Sequence, residues 1–153
     1  MNAKPPGLRL RFRPLPVTPA ALRQLMELFR HAYWTDRRTA KDVRRMLRYT
    51  PFTLSAWQGD RLVAFCRVLT DFTYRAVLYD VIVHPDFRGQ GVAKQLMQKL
   101  HTHPKLRRIE SWYLSTRNAH GLYSQFGWVH NPVNFMEFKR LAKAPPKRIA
   151  SCE

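Results

Sequence analysis

Val81-Ile82-Val83-His84-Pro85-Asp86-Phe87-Arg88-Gly89-Gln90-Gly91-Val92-Ala93 decides how this chain reads. An apolar run stops at a proline, a short polar turn follows, and two glycines one residue apart open an amphipathic stretch. Val92, Ala93, Leu96, Met97 and Leu100 share a face at helical spacing, with Lys94, Gln95, Gln98 and Lys99 outside it. The segment predicts a strand, a loop and a helix over Gly91–His101, closed by Pro104. Glycines at such a junction permit positive φ and let a ligand come close to the backbone. The first-turn amides of a helix lack partners within it and carry the positive end of its dipole. The pattern therefore predicts a site for phosphate or diphosphate. A dinucleotide fingerprint would place a third small residue where Lys94 stands, and a P-loop would need Gly-Lys-Ser/Thr where Gly91-Val92-Ala93 stands.

Upstream, Ala76–Val83 is apolar almost throughout and predicts a strand buried on both faces. Phe52–Trp57 and Leu62–Leu69 predict two more strands, joined at Gly59-Asp60 with one extra flanking residue. Leu8–Arg13 alternates apolar and basic residues, the period of a half-exposed strand. Thr18-Pro19 reads as the cap and first position of a helix carrying Leu22, Leu25, Met26 and Phe29. Thr39 with Asp42 opens a second helix in the manner of a capping box. Downstream, Ile109–Leu114 predicts a strand, Gly121–Phe126 a short helix capped by Gly127, and Phe135–Phe138 a last strand. The order is that of an α/β (α+β) fold with a mixed, mostly antiparallel sheet of about six to seven strands and about four helices. Residues 1–140 read as one domain and 141–153 as a loose basic tail.

Composition narrows the function less. The 153 residues hold 27 Lys+Arg against 10 Asp+Glu, a formal charge of +17, so the chain should attract anions: a polyanionic cofactor, an acidic substrate, nucleic acid or an acidic membrane. No apolar run is long enough to span a bilayer, so no membrane partner is expected. Met1–Gly7 has no apolar core or small-residue cleavage site, and a cytoplasmic location is expected. The two cysteines, Cys66 and Cys152, have neither metal-ligand nor disulfide-framework spacing, and no metal is expected.

With the strand end Val83-His84-Pro85, the loop Arg88-Gly89-Gln90-Gly91-Val92-Ala93 resembles the Gln/Arg-x-x-Gly-x-Gly/Ala signature of the GNAT superfamily of N-acetyltransferases, Arg88, Gly91 and Ala93 filling the defining positions. Leu122-Tyr123-Ser124-Gln125-Phe126-Gly127-Trp128 is similar to that family's Leu-Tyr-x-x-x-Gly-Phe, with Trp128 for Phe. By motif the resemblance runs from Ala76 to Phe138, and before that it is one of topology. It implies acetyl-CoA as acyl donor, an amine acceptor attacking directly in a ternary complex, and a splayed strand pair as the CoA cleft. It implies that the backbone from Arg88 through Gly89, Gln90, Gly91, Val92 and Ala93 to Lys94 holds the pyrophosphate, and that the backbone of Val81, Ile82 and Val83 pairs with the pantetheine arm. Tyr123 would protonate the leaving thiolate. Asn118 would bind pantetheine, although it precedes Tyr123 by five residues where many relatives have seven. A homodimer is implied by analogy.

Some residues are read from chemistry alone. Asp80 interrupts a buried strand, so it needs a partner or a raised pKa, and it is the candidate base or water-positioning group against a plain structural role. Asp71, His84 and His120 read mainly as capping or surface residues. Lys41, Arg44, Arg45 and Arg48 share one helix face with Arg37 and Arg38 before it, either a solvated face or an attractor for an anionic acceptor. Two alternatives remain: a basic nucleic-acid- or ribosome-associated binding protein, and a CoA-binding module of the same fold without catalysis. No nucleic-acid motif is present, so the first is not favoured.

Overall fold

The computed structural model describes residues 7–131 and residue 136. Its elements are β1 (Arg11–Arg13), α1 (Pro19–Phe29), α2 (Ala40–Arg48), β2 (Phe52–Gln58), β3 (Arg61–Thr70), β4 (Arg75–Val83), α3 (Val92–His101), β5 (Ser111–Tyr113) and α4 (His120–Ser124), with 3₁₀ turns at Tyr33–Thr35 and Pro85–Phe87. The strands form one sheet in the order β1-β2-β3-β4-β5, antiparallel except for the parallel β4/β5 pair.

The caps act as their sequences direct. The Thr18 hydroxyl accepts the Ala21 amide at 3.2 Å and Pro19 opens α1. Thr39 accepts the Asp42 amide at 3.1 Å and donates to its carboxylate at 2.8 Å, starting α2. These helices bury Leu25, Leu28, Phe29, Val43 and Leu47 against Phe65 and Ile82 on one face of the sheet. On the other face, Val92, Leu96, Met97 and Leu100 of α3 pack on Leu54, Cys66, Val68 and Leu78. Burying each such side chain contributes about 1.5–3 kcal/mol, so the two clusters hold the helices to the sheet.

The structure departs from expectation in four places. The described residues form five strands rather than six or seven; the predicted Phe135–Phe138 strand and the 141–153 tail lie outside them. The extra residue of the β2–β3 hairpin lies not beside the turn but at Val63, which the register skips between Ala56↔Ala64 and Trp57↔Leu62, while Gln58 pairs with Arg61 across Gly59-Asp60 and Gly59 supplies φ +57. β4 is not buried on both faces throughout, because Tyr79 is exposed. Both faces are covered only near its end, where Ile82 joins the α1–α2 cluster and Val81 and Val83 pack on the α3 side.

The fourth departure underlies the third. Phe65 pairs with Ile82 but Arg67 pairs with Tyr79, so Asp80 and Val81 together face Cys66 in a β-bulge. Asp80 takes φ +56, a conformation aspartate tolerates better than most residues. The inserted residue reverses which side chains face which helix layer. β5 pairs with β4 only from Arg75 to Val77, so among the described residues the later half of β4 has no strand on that side.

Candidate active site

The open side of β4 faces the glycine loop. The His84 amide bonds the Val63 carbonyl at 2.8 Å, which fixes the hydrogen-bonding phase of the strand. The backbone groups of Ile82 therefore point to β3, where it pairs with Phe65, while those of Val81 and Val83 point to the unpaired side. The amide and carbonyl of Ile82 serve the sheet, so that an arm laid along this edge would meet the residues on either side of it. Arg88 folds back, its Nε donating to the Val83 carbonyl at 3.0 Å, so its guanidinium braces the strand end.

Beyond it, Gly89 and Gly91 take φ +72 and +77, and Gly91 is the left-handed cap of α3. A Cβ at either would meet nothing within 4 Å. Glycine is thus required by backbone handedness, and the space beside it stays open. The first α3 amide with a backbone partner is Gln95, bonded to Gly91 at 3.0 Å. The amides of Gly89, Gln90, Gly91, Val92, Ala93 and Lys94 have no partner among the described residues. A row of donors at the positive end of a helix is an anion site. The Gln90 side chain steadies the loop by donating to the Asp86 carbonyl at 3.0 Å, and Arg61 pairs with Asp86 at 2.7 Å.

Tyr123 lies on α4, 8% exposed, within the α3-side core. Among the described residues its hydroxyl has no hydrogen-bond partner, and no sealed polar atom there lacks one, so this oxygen keeps contact with open space. Burial, with a smaller effect from Cys66, pushes the phenol up to about 12, so it stays protonated and suits a proton donor. Trp128 touches the Tyr123 ring and donates its indole N–H to His101 Nε2 at 2.9 Å. Burial holds His101 below its usual value, which keeps that nitrogen free to accept.

Asp80, a carboxylate in an apolar strand, demands a partner and has two. Its oxygens take a bidentate pair from Arg38 at 2.8 and 2.8 Å, and Arg67 Nε reaches one of them at 2.6 Å. Burial pushes the carboxyl up, but the hydrogen bonds and charges of Arg38 and Arg67 outweigh it and hold the group below the usual carboxylate range. A carboxylate so held has little proton affinity near neutral pH. Neither arginine was singled out as its partner from sequence, since Arg38 precedes α2 and Arg67 lies on β3; the only signal was the lone charge in an apolar strand. Asp71 caps the β3–β4 turn, accepting the amides of Thr73, Tyr74 and Arg75. His84 caps the 3₁₀ turn through Nδ1, and His120 lies ring-to-ring with His130. Asn118 is exposed in the β5–α4 connection. A hollow of about 590 Å³ lies away from this loop, between Leu10, Phe12, Phe52 and Leu54 and the Lys99–His103 end of α3.

Known proteins share this fold. Residues 51–130 match the family model described as an acetyltransferase (GNAT) domain. The chain is 28% identical over 116 residues to the uncharacterized N-acetyltransferase ycf52 of Porphyra purpurea, covering 72% of this chain and 66%, just under two thirds, of that protein. It superposes on a GNAT-family crystal structure from Xanthomonas campestris pv. campestris with a TM-score of 0.76 and 28% identity, covering 88% of this chain and 95% of that one. A Clostridium acetobutylicum protein solved with acetyl-CoA shares the fold at a TM-score of 0.63 and 14% identity, covering 86% of this chain and 96% of that one.

Proposed function

The chain belongs to the GNAT acetyltransferase family, and from that premise we propose that it transfers the acetyl group of acetyl-CoA to a primary amine by direct attack in a ternary complex. The observation that carries this reading is the row of six amides, Gly89–Lys94, that have no partner among the described residues and lie at the end of a strand whose edge, among those residues, is unpaired. The residues fit the carrier. The amides match a diphosphate, the open space beside Gly89 and Gly91 leaves room for it, and an extended arm would find the Val81 backbone and the Val83 amide turned outward, the Val83 carbonyl being held by Arg88. Bound there, acetyl-CoA supplies an activated thioester acyl group.

The chain's own groups then have distinct tasks. The Val81 amide would polarise the acyl carbonyl, a donor aimed at developing negative charge. Asn118 would contact the arm from the β5–α4 side. A new N–C bond forms as the C–S bond breaks: the amine nitrogen would give up one proton to solvent water, the Tyr123 hydroxyl would deliver its proton to the leaving sulfur, and the phenolate would recover a proton from water. Asp80 serves as a positioning residue: held by Arg38 and Arg67, it locks the bulge that turns the Val81 amide toward the gap. The net positive charge of that trio also disfavours an ammonium beside it, which raises the share of neutral, nucleophilic amine.

Thermal denaturation with CoA tests the reading. A ligand at about 100 times its Kd stabilises by roughly 2.7 kcal/mol. Absence of any shift with CoA would defeat the assignment. A shift without thiol release across an amine library would leave a CoA-binding module of the same fold.

A further inference from the structure

One surface is absorbed neither by the core nor by the amide row. On the sheet face that carries α1 and α2, Arg67 neighbours Tyr79, Leu69 neighbours Val77, and Val77 neighbours Tyr113 across the strands. Helices cover only part of this face: Tyr79 is 40% exposed, Tyr113 46%, and on the adjoining turn Tyr33 is 56% and Trp34 47% exposed. The turn is fixed, because the buried Thr35 hydroxyl bonds the carbonyls of Phe29 and Ala32. Arg117 lays its guanidinium over Tyr33 at 4.8 Å, joining the β5–α4 connection to the turn. Tyr113 sits at the last β4/β5 pair, where the gap between those strands begins. Exposed aromatic residues interleaved with arginine are the composition of a docking surface.

Its charge is one-sided. Arg38 and Arg67 share the single carboxylate of Asp80. From Arg38 the surface continues through Arg37 into α2, and Arg37, Lys41, Arg44, Arg45 and Arg48 are exposed and, among the described residues, form no ion pair. The carboxylates of α1, the turn and α2 are Glu27, Asp36 and Asp42, and Asp42 is engaged by Thr39.

We propose that the acceptor amine is carried by an acidic polypeptide segment, which docks its apolar side chains on the Tyr33–Trp34–Tyr79–Tyr113 face and its carboxylates on the α2 stripe. This rests on the acyltransfer reading above. A polypeptide is favoured over a nucleic acid because the site serves a nucleophilic amine. An N-terminus or lysine supplies one, whereas the exocyclic nitrogens of bases are delocalised into the ring. Carboxylates flanking that amine also offset the repulsion between its ammonium form and Arg38 and Arg67.

The test uses the full chain and a peptide with a free N-terminus, alternating Glu and Leu, labelled with fluorescein at its C-terminus. A Gln-for-Glu peptide and a single-stranded RNA serve as comparisons. Anisotropy should show the Glu peptide binding roughly tenfold more tightly than the Gln peptide, a preference that weakens with salt. The paired variant Arg44→Glu/Arg45→Glu should abolish the preference. Arg107→Glu/Arg108→Glu, the same charge change at exposed positions elsewhere, should leave it intact. Equal binding of the two peptides, equal effects of the two paired variants, or RNA displacing the peptide at physiological salt would overturn the proposal. The CoA-induced thermal shift separates the two readings. If wild type shows no shift, acyl transfer fails while anisotropy still judges docking; if the shift persists without peptide preference, docking alone fails.

Discussion

Replacing Gly91 by alanine, with Gly59→Ala as its matched control, isolates what the glycine loop does. Both glycines have positive φ, +77 and +57, and an added Cβ would meet nothing within 4 Å at either. Their folding costs should therefore be alike. A left-handed conformation costs an L-residue roughly 1–2 kcal/mol, and the loss of unfolded-state freedom returns about 0.4–1 kcal/mol. The net cost is about 1 kcal/mol, or ~2–4 °C in Tm for a chain of this size. Ligand binding should separate them. At Gly91 the methyl either stands in the space beside the amide row or forces φ negative and turns the amides away. Either event costs at least one hydrogen bond to a charged group, about 1.5–3 kcal/mol, and so roughly 10- to 100-fold in CoA affinity. Gly59 lies in the β2–β3 hairpin, and its variant should bind CoA as wild type does. Calorimetric titration with CoA, alongside thermal melts, reads both quantities. If Gly91→Ala binds CoA as tightly as Gly59→Ala at equal stability, the loop does not hold the diphosphate.

Asp80→Asn strands two guanidinium groups beside a neutral amide, and removing one partner of a buried pair costs about 3–5 kcal/mol, so melting should fall by ~6 °C or more. The carboxyl of Asp80 sits below its ordinary value in the folded state. Its contribution is therefore complete above the ordinary aspartate pKa and is lost as pH falls through the lowered one; acid titrations of stability should show that limb in wild type and not in the variant. Tyr123→Phe deletes a hydroxyl with no partner among the described residues, so Tm and CoA affinity should hold while kcat falls by roughly 100-fold; an unchanged kcat would remove the acid role. His101, held low by burial, accepts the Trp128 indole only when neutral. Its contribution should be complete above the ordinary histidine value and fade as pH falls below it, seen as a tryptophan fluorescence transition that His101→Phe lacks.

Local signals made much of the molecule legible without coordinates. Thr18-Pro19 and Thr39 with Asp42 cap the helices they were expected to cap. Gly59-Asp60 turns a hairpin, and Gly89 and Gly91 open α3 with the predicted handedness. Each is settled within a few residues by φ, by a side-chain oxygen or by the period of apolar residues. The same locality explains why two motif blocks in order sufficed to point to the family.

What the sequence by itself determined, then, is every feature whose cause is local: the helices, the hairpin, the amide row and the family they indicate. What only the tertiary structure decided is how strands meet. The bulge at Asp80–Val81 depends on β3's register and on two arginines, 42 residues before and 13 residues before the carboxylate they hold. It selects which backbone groups of β4 face the gap, and it leaves Tyr79 exposed where an apolar run suggested burial. Register, strand divergence and ion pairing are set by contacts between segments distant in sequence, and residue periodicity carries no record of them.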